Sequence, residues 1–360
     1  MKKKNKFLCM LISATMSFSL MACSSSTKAT KEKEEAPKDT NTKSEEKLEG
    51  TLKVVTTSED YKPLFDKFTK ETGVKVEFLS MSSGEVLSRT KAEGGKPMGD
   101  VWFGGGIDAF MQAKQDGLLE KCDFKGVDKL SDKFKDKENH WFSKGLTVVG
   151  FIANNDVLKE NKLDAPKSWN DLKDPKYKDE ILMSNPAVSG TNYAVVNSLL
   201  QSKGEAEGWK YFEALNKNIP FYSKRGKDPN QKTAAGEVAI GITYIDNTVE
   251  KLKDEKNVSI IYPEDGTPWI PEGVAVFKNA SNMTAAKKFV SWVYEDENLK
   301  ELAKLDGKNT VKLIKPSVEG LELSITEDKL IKQDLASFGK DRKSILEKWA
   351  KLVGDKGASK

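Results

Sequence analysis

The sequence Gly99-Asp100-Val101-Trp102-Phe103-Gly104-Gly105-Gly106 joins a short apolar run to a glycine turn, which is typical of a buried strand that ends in a tight connection. Two other short runs rich in β-branched residues precede it, at 52–55 and 73–78. The apolar spacing at 61–71 and 107–115 predicts helices. This β-α-β-α-β order predicts an α/β fold in which helices cover both faces of a mainly parallel sheet.

A second α/β unit is predicted to begin near 146–152, where a new apolar run starts. Further strands are expected at 181–183, 238–243 and 273–277, and helices at 193–201, 208–216, 285–294, 299–303, 330–335 and 343–352. A length of 360 residues agrees with two domains, because a domain has about 150 residues.

The charge balance disfavours a nucleic-acid partner. The chain has 59 Lys and Arg against 55 Asp and Glu, but four of the lysines, at positions 2, 3, 4 and 6, lie in a segment that we expect to be removed. Without them the two signs are equal, so no basic surface is predicted. His140 is the single histidine, which makes His-rich zinc sites and Ser-His-Asp triads improbable.

The N-terminal segment predicts a location outside the cytoplasm. The lysines precede an apolar stretch at 7–21, which is shorter than the roughly 20 residues of a membrane-spanning helix. The stretch ends in Leu20-Met21-Ala22-Cys23, which resembles the lipobox of bacterial lipoproteins. We predict a lipoprotein signal peptide at 1–22, a lipidated Cys23 that anchors the chain to the bacterial cell membrane, and a disordered polar tether over 23–49. A plain secretory signal is the alternative.

Cys122 is then the one thiol of the folded body, and a single cysteine cannot form an internal disulfide. No histidine lies near it in the sequence to activate it. We expect no catalytic or redox role for it.

Five segments in order carry a family resemblance. They are Thr72-Gly73-Val74-Lys75-Val76, the 99–106 stretch, Pro166-Lys167-Ser168-Trp169-Asn170-Asp171-Leu172, Gly241-Ile242-Thr243-Tyr244 and Tyr262-Pro263-Glu264-Asp265-Gly266-Thr267-Pro268. Over about residues 50–300 the chain resembles the extracytoplasmic solute-binding proteins of ATP-driven (ABC) importers. The group that it is most similar to binds ferric ion, 2-aminoethylphosphonate or sugar phosphates.

The resemblance implies a two-lobed periplasmic-binding-protein-like fold with a ligand cleft between lobes joined by crossing strands. Lobe 1 would comprise 50–148 plus 271–360, and lobe 2 would comprise 149–270. It also implies a monomer that is not an enzyme, needs no cofactor, and has an ABC permease and its ATPase as partners.

Three turns of small polar residues follow predicted strands, where they would face the cleft. They contain Thr57 and Ser58, then Ser82, Ser83 and Gly84, and then Ser189, Gly190 and Thr191. A helix N-terminus offers free N–H groups and partial positive charge, so such turns suit a phosphate, phosphonate or carboxylate. The alternative is that they are ordinary helix N-caps.

Other residues extend this candidate site. Gly104 and Gly105 would allow close backbone approach to a ligand or to the facing lobe. Trp141 is a candidate aromatic wall of the cleft, or else a buried packing residue. Arg225 is a candidate cation for an anionic ligand, or else part of a solvated loop.

Tyr244 and Asp246 flank Ile245 after a predicted strand, and alternation places their side chains on one face. Ferric-binding relatives carry two adjacent tyrosines here, and the tandem is broken in this chain. The leading hypothesis is therefore binding of a small phosphorus-containing organic anion, a phosphonate or a sugar phosphate, by lobe closure. The alternatives are ferric binding through Tyr244 and Asp246 and, more remotely, a surface hydrolase; Asp246 could also simply cap a helix.

Overall fold

Runs of β-branched and aromatic residues form the strands, as the sequence predicts. The structure is a computed structural model that describes residues 48–307, 310–320 and 327–357. The strands of these residues are β1 Thr51–Thr56, β2 Lys75–Ser80, β3 Val101–Gly106, β4 Leu119–Glu120, β5 Phe142–Asn154, β6 Ile181–Ser184, β7 Tyr222–Ser223, β8 Ile240–Ile245, β9 Val258–Ile261 and β10 Trp269–Phe277. The predicted signal peptide, Cys23 and the tether up to residue 47 lie outside the described residues.

The helices lie between the strands and dominate the C-terminal part of the chain. They are α1 Lys62–Thr72, α2 Ser83–Ala92, α3 Ile107–Gln115, α4 Asn155–Glu160, α5 Gly190–Lys203, α6 Glu205–Asn216, α7 Asp228–Ala234, α8 Asn247–Glu255, α9 Met283–Val293, α10 Asp296–Asp306, α11 Val311–Ile314, α12 Ala336–Lys340 and α13 Arg342–Val353. Within the described part of the chain, none of them has the length and apolar character needed to cross a membrane.

The strands form one continuous sheet in the order β2-β1-β3-β10-β5-β8-β6-β7, with β4 beside β10 and β9 beside β5. β1 is parallel to β2 and β3, and β6 is parallel to β7 and β8. β5 and β10 run antiparallel to each other between these two parallel groups. They are the crossing strands, and we call the α/β units on the β1 and β6 sides the first and second lobes. The predicted α/β fold is confirmed.

An aromatic cluster fills the core of the first lobe. The ring of Phe289 on α9 has its centroid 6.0 Å from that of Phe65, 5.1 Å from that of Phe68 and 5.9 Å from that of Phe103. All four rings are almost completely buried. α9 is therefore held against α1 and β3 by aromatic contacts between residues that are far apart in sequence.

The C-terminal segment differs from the sequence prediction at 330–335, which does not form a helix. The backbone N–H of Ile331 donates to the carbonyl of Thr267, and the indole N–H of Trp269 donates to the carbonyl of Ile331. These bonds to the chain next to β10 replace the hydrogen bonds that a helix would make.

The last helix, α13, packs on the second lobe. The Trp349 ring contacts those of Phe212 and Tyr222, with centroids 5.5 and 5.1 Å apart. At the start of the same helix, Arg342 reaches the first lobe and pairs with Asp108 over 2.8 Å. The C-terminal helices thus contact both lobes, and the exact lobe boundaries stay a prediction.

Replacing Phe289 by alanine should lower the free energy of unfolding by about 3–5 kcal/mol, because it leaves a cavity among the other three aromatic rings. Urea denaturation measures this change. Leu79→Ala is the matched control, since that side chain is 48% exposed and its loss should change stability by about 0.5 kcal/mol or less. Similar losses in the two variants would contradict the proposed role of the cluster.

Candidate functional site

The carboxyl ends of the parallel strands in the two lobes lie next to one another. The segments that follow β1, β2 and β3 share one edge of the first lobe, and those that follow β6, β7 and β8 share one edge of the second. A hydrogen bond joins the two edges: the backbone N–H of Gly84 donates to the carbonyl of Val188 over 3.3 Å. The lobes are therefore in contact across the predicted cleft.

Five residues from three segments meet at this contact. A Cβ atom placed on Gly105 would lie 2.5 Å from Cβ of Ser83, and one placed on Gly190 would lie 2.9 Å from both Oγ of Ser83 and N of Gly106. A Cβ atom on Gly84 would lie 2.9 Å from Cα of Val188. We call Ser83, Gly84, Gly105, Gly106 and Gly190 the cradle. Such an approach of two backbones is possible only where side chains are absent.

Two helix N-termini face each other in the cradle. α2 begins at Ser83, and its N-cap residue Ser82 makes no side-chain capping bond. α5 begins at Gly190, followed by Thr191, and its cap Ser189 accepts from the N–H of Asn192. Since each N-terminus carries partial positive charge and unpaired N–H groups, the two lobes present an anion-binding arrangement from opposite sides.

A third helix, α3, also starts here, and a carboxylate of the chain itself already lies at its N-terminus. Asp108 in its first turn is buried and pairs with Arg342. Burial raises the pKa of Asp108, while Arg342 and the N–H groups of Asp108 and Ala109 oppose that shift. The anion-binding capacity of the cradle therefore comes from α2 and α5.

Thr57 extends the cradle within the first lobe. Gly104 and Gly105 both have φ of +93°, in the left-handed region, and their Cα atoms face the side chain of Thr57. A Cβ atom on Gly105 would lie 3.1 Å from Cγ2 of Thr57. The glycines therefore let this threonine approach the backbone at the end of β3.

Some predicted site residues act as helix caps. The hydroxyl of Ser58 accepts from the N–H of Asp60, and Oδ1 of Asp246 accepts from the N–H groups of Thr248 and Val249. The sequence left open that Asp246 and the serines are ordinary helix caps, and the structure shows that Ser58 and Asp246 do cap helices. Capping by Oδ1 leaves the other carboxylate oxygen of Asp246 outside these bonds.

Arg225 and Trp141 have different positions. Arg225 is exposed in the loop after β7, and the neighbouring Gly226 lies next to Oγ of Ser189. Trp141 is only 4% exposed and belongs to the apolar core. The structure therefore brings the Arg225 loop to the cradle and does not bring Trp141 there.

A buried lysine beside the cradle was missed by the sequence analysis. Lys144 on β5 is fully buried, and its ammonium pairs with Glu272 on β10 and with Asp306 over 3.3 Å. It also donates to the Tyr61 hydroxyl over 2.7 Å, and Tyr61 donates to Asp306 over 2.8 Å. Burial would lower the pKa of Lys144, but Asp306 and Glu272 raise it, so the lysine stays charged. A lone lysine within the apolar 142–154 run was the available signal.

At the other side of Tyr61 the second lobe contributes Tyr244, Asp246 and Asn230. Burial, Asp306 and Glu272 raise the pKa of the Tyr61 phenol, burial most of all. The carboxylate of Asp246 also lies close enough to raise this pKa, by a smaller amount. Burial, then Asp246, raises the pKa of Tyr244, whose hydroxyl is faced by the Asn230 amide. This group forms a second polar region of the cleft, which Tyr61 and Lys144 connect to the cradle.

A comparison with known protein families matches residues 63–313 to the family of bacterial extracellular solute-binding proteins. This chain belongs to that family. The resemblance read from the sequence is thus confirmed, and the family places the protein outside the cytoplasm as the solute-binding component of an ABC importer.

Two solved structures and one sequence relative are similar to this solute-binding protein. The periplasmic binding protein AfuA of Actinobacillus pleuropneumoniae, with fructose-6-phosphate bound, matches with a TM-score of 0.77 and 30% identity over 85% of this chain and 99% of that one. The periplasmic binding protein P5PA matches with a TM-score of 0.75 and 27% identity over 85% and 100%. An uncharacterized protein of Haemophilus influenzae is 30% identical over 79% of this chain and 85% of its own.

Two other groups of this solute-binding protein have reactive side chains. Burial raises the pKa of Cys122 to about 12, so its thiol stays protonated at neutral pH. Asp136, Glu138 and His140 lie together, but the Lys114 ammonium is 2.8 Å from Asp136 and 2.6 Å from Glu138. A lysine thus already provides the positive charge that a metal ion would bring.

Replacing Lys144 by methionine should lower the free energy of unfolding by about 3–5 kcal/mol, because Glu272 and Asp306 lose a buried cation. Urea denaturation measures the change. Lys62→Met is the control, since Lys62 pairs with Asp66 at the surface, where 61% and 63% of the two side chains are exposed. It should cost about 1 kcal/mol or less. Equal effects of the two substitutions would show that Lys144 has no special role.

Proposed function

We propose that this solute-binding protein captures a small phosphorus-containing organic anion, a sugar phosphate or a phosphonate, and delivers it to an ABC permease and its ATPase. The observation that carries the proposal is the meeting of the α2 and α5 N-termini at Ser83 and Gly190. An anion between them would receive N–H groups from both lobes. Ser83, Thr57 and Ser82 add hydroxyl donors from the first lobe, and Arg225 is a nearby cation from the second.

A similar protein supports this ligand class. AfuA, at 30% identity and with nearly its whole length matched, holds fructose-6-phosphate, whose phosphate group is an anion of the kind that helix N-termini bind. No transformation of the ligand is proposed. Lobe closure itself is the function, since the closed shape is what a permease would recognise.

The same contacts explain how a ligand would favour closure. An anion that touches only one lobe gains nothing from closing, whereas one held by α2 and α5 together gains contacts only in the closed form. Because an equilibrium shifts only by differential affinity, binding from both sides is what drives the lobes together. The predicted lipid on Cys23 would keep the protein, as a monomer, at the membrane that holds the permease.

Ferric binding is the alternative and would depend on Tyr244 as a phenolate. Burial and the neighbouring Asp246 raise the pKa of Tyr244, which disfavours the deprotonated form. Ile245 beside it is buried and offers no ligand atom. The geometry therefore favours the phosphorus compounds. A surface hydrolase is the more remote alternative. Neither the buried Cys122 nor the His140 cluster, whose carboxylates pair with Lys114, supplies a nucleophile near the cradle.

The ligand class is tested by a thermal-shift panel on the purified protein with fructose 6-phosphate, glucose 6-phosphate, 2-aminoethylphosphonate, inorganic phosphate and ferric citrate, with citrate alone as control. A true ligand at 100 times its dissociation constant should stabilise the fold by about 2.7 kcal/mol, which raises Tm by several degrees. A shift with phosphorus compounds is the expected result. A shift with ferric citrate alone, with visible colour, would replace this proposal by iron uptake.

Replacing Gly84 by alanine should weaken binding of the active phosphorus compound at least tenfold in titration calorimetry. The added methyl group would lie 2.9 Å from Cα of Val188, so the lobes could not approach as they do here. The unliganded protein should be no less stable, because alanine suits a helix better than glycine. Ser88→Ala, on the exposed face of the same helix, is the control and should bind normally. Unchanged affinity of the Gly84 variant would disprove this contact as part of the closed state.

A further inference from the structure

The side chain of Asn230 has no partner in the part of the chain that the structure describes. It lies on α7 in the second lobe and is only 4% exposed, and neither its Nδ2 nor its Oδ1 makes a hydrogen bond. Burying an amide without partners lowers the stability of the protein. An apolar side chain would avoid that cost, so the amide points to a partner from outside the chain.

The position of Asn230 places this partner in the cleft. Its amide lies close enough to the hydroxyl of Tyr244 to lower the pKa of that phenol, but the two side chains do not reach hydrogen-bond geometry. Asp246 and, from the first lobe, Asp60 raise the pKa of the same phenol. Asp246 in turn raises the pKa of Tyr61, which also belongs to the first lobe. The next residue, Asn247, packs against that lobe, since a Cβ atom placed on Gly307 would lie 2.5 Å from Cβ of Asn247. Asn230 is therefore part of a polar group that lies between the lobes, away from the cradle and beyond Tyr61 and Lys144.

The hydrogen-bonding capacity of this group is mixed. Asn230 offers two donors and an acceptor, Tyr244 offers one of each, and Asp246 offers the carboxylate oxygen that does not cap α8. A ligand ammonium only donates and would leave the Asn230 amino group unpaired. A hydroxyl group both donates and accepts, so two neighbouring hydroxyls can satisfy the amide and the carboxylate together.

We propose that Asn230 and Asp246 bind hydroxyl groups of the ligand, so that the ligand is a polyhydroxylated phosphate ester, a sugar phosphate, and not an alkyl or aminoalkyl phosphonate. This inference rests on the proposed function, since it assumes that the phosphorus group lies in the cradle. It adds Asn230 as a specificity-determining residue. The unpaired amide is then the feature that separates sugar phosphates from smaller anions.

The test is titration calorimetry on the purified protein and its Asn230→Leu variant, with fructose 6-phosphate, glucose 6-phosphate, 2-aminoethylphosphonate and inorganic phosphate. Leucine has a similar size and removes only the unpaired atoms. We expect a sugar phosphate to bind the unchanged protein at least tenfold more tightly than 2-aminoethylphosphonate. In the variant that affinity should fall at least tenfold, while binding of inorganic phosphate changes less than twofold. The Tm of the unliganded variant should not fall.

Asn218→Leu is the matched control. Asn218 is equally buried in the same lobe, but its Nδ2 donates to the carbonyls of Leu172 and Asp174 over 2.8 Å each. Its replacement should lower Tm and leave sugar-phosphate affinity unchanged. If Asn230→Leu behaves in that way instead, Asn230 is structural and the inference is wrong. If 2-aminoethylphosphonate binds more tightly than both sugar phosphates, the inference fails while the proposed function stands. If no phosphorus compound binds, both fail.

Discussion

The antiparallel pairing of β5 and β10 connects everything else in the described structure. Trp269 to Glu272 of β10 pair with Gly145 to Val148 of β5, and the same two strands continue into the sheets of both lobes. They also carry Lys144 and Glu272, so the ion pair lies where the chain passes between lobes. A buried ion pair gains little net stability over apolar packing, but it opposes any shift of these strands that would separate the charges. The crossing region therefore has one defined register.

The second constraint is the close approach of backbone segments at the cradle, which depends on glycines because they have no Cβ atom. Gly84, Gly105 and Gly190 let three backbone segments meet where any Cβ would collide with a neighbour. The same absence of side chains brings the N-termini of α2 and α5 close to each other. In the proposed complex, the anionic end of the ligand would lie there, and the polar group around Asn230 would contact its remaining part.

The sequence predicts the local features of this protein well, because they depend on neighbouring residues. The strand that begins at Val101 and the helices after Ser82 and Ser189 all follow from short patterns of apolar, small and capping residues, although the strand continues to Gly106 through the glycines that were predicted as a turn. The meeting of Ser83 with Gly190 depends on how two lobes pack, which no local pattern encodes. Asn230 was missed for the same reason, since a lone asparagine in a short helix gives no sign that its amide is buried and unpaired. The 330–335 segment was predicted as a helix because its apolar spacing fits one, but hydrogen bonds to Thr267 and Trp269 hold it in a non-helical form.

The unpaired polar atoms of the second lobe show how binding and stability oppose each other here. Besides Asn230, the hydroxyls of Thr233 on α7 and Thr243 on β8 are buried without a partner in the described residues. Each lowers the stability of the unliganded protein, and a sequence optimised for stability alone would replace them by apolar side chains. A ligand that pairs with Asn230 while its phosphate lies between α2 and α5 regains part of this free energy only in the closed form. The groups that weaken the empty protein would therefore increase the difference in affinity between open and closed states, and that difference is what a solute-binding protein needs in order to signal occupancy.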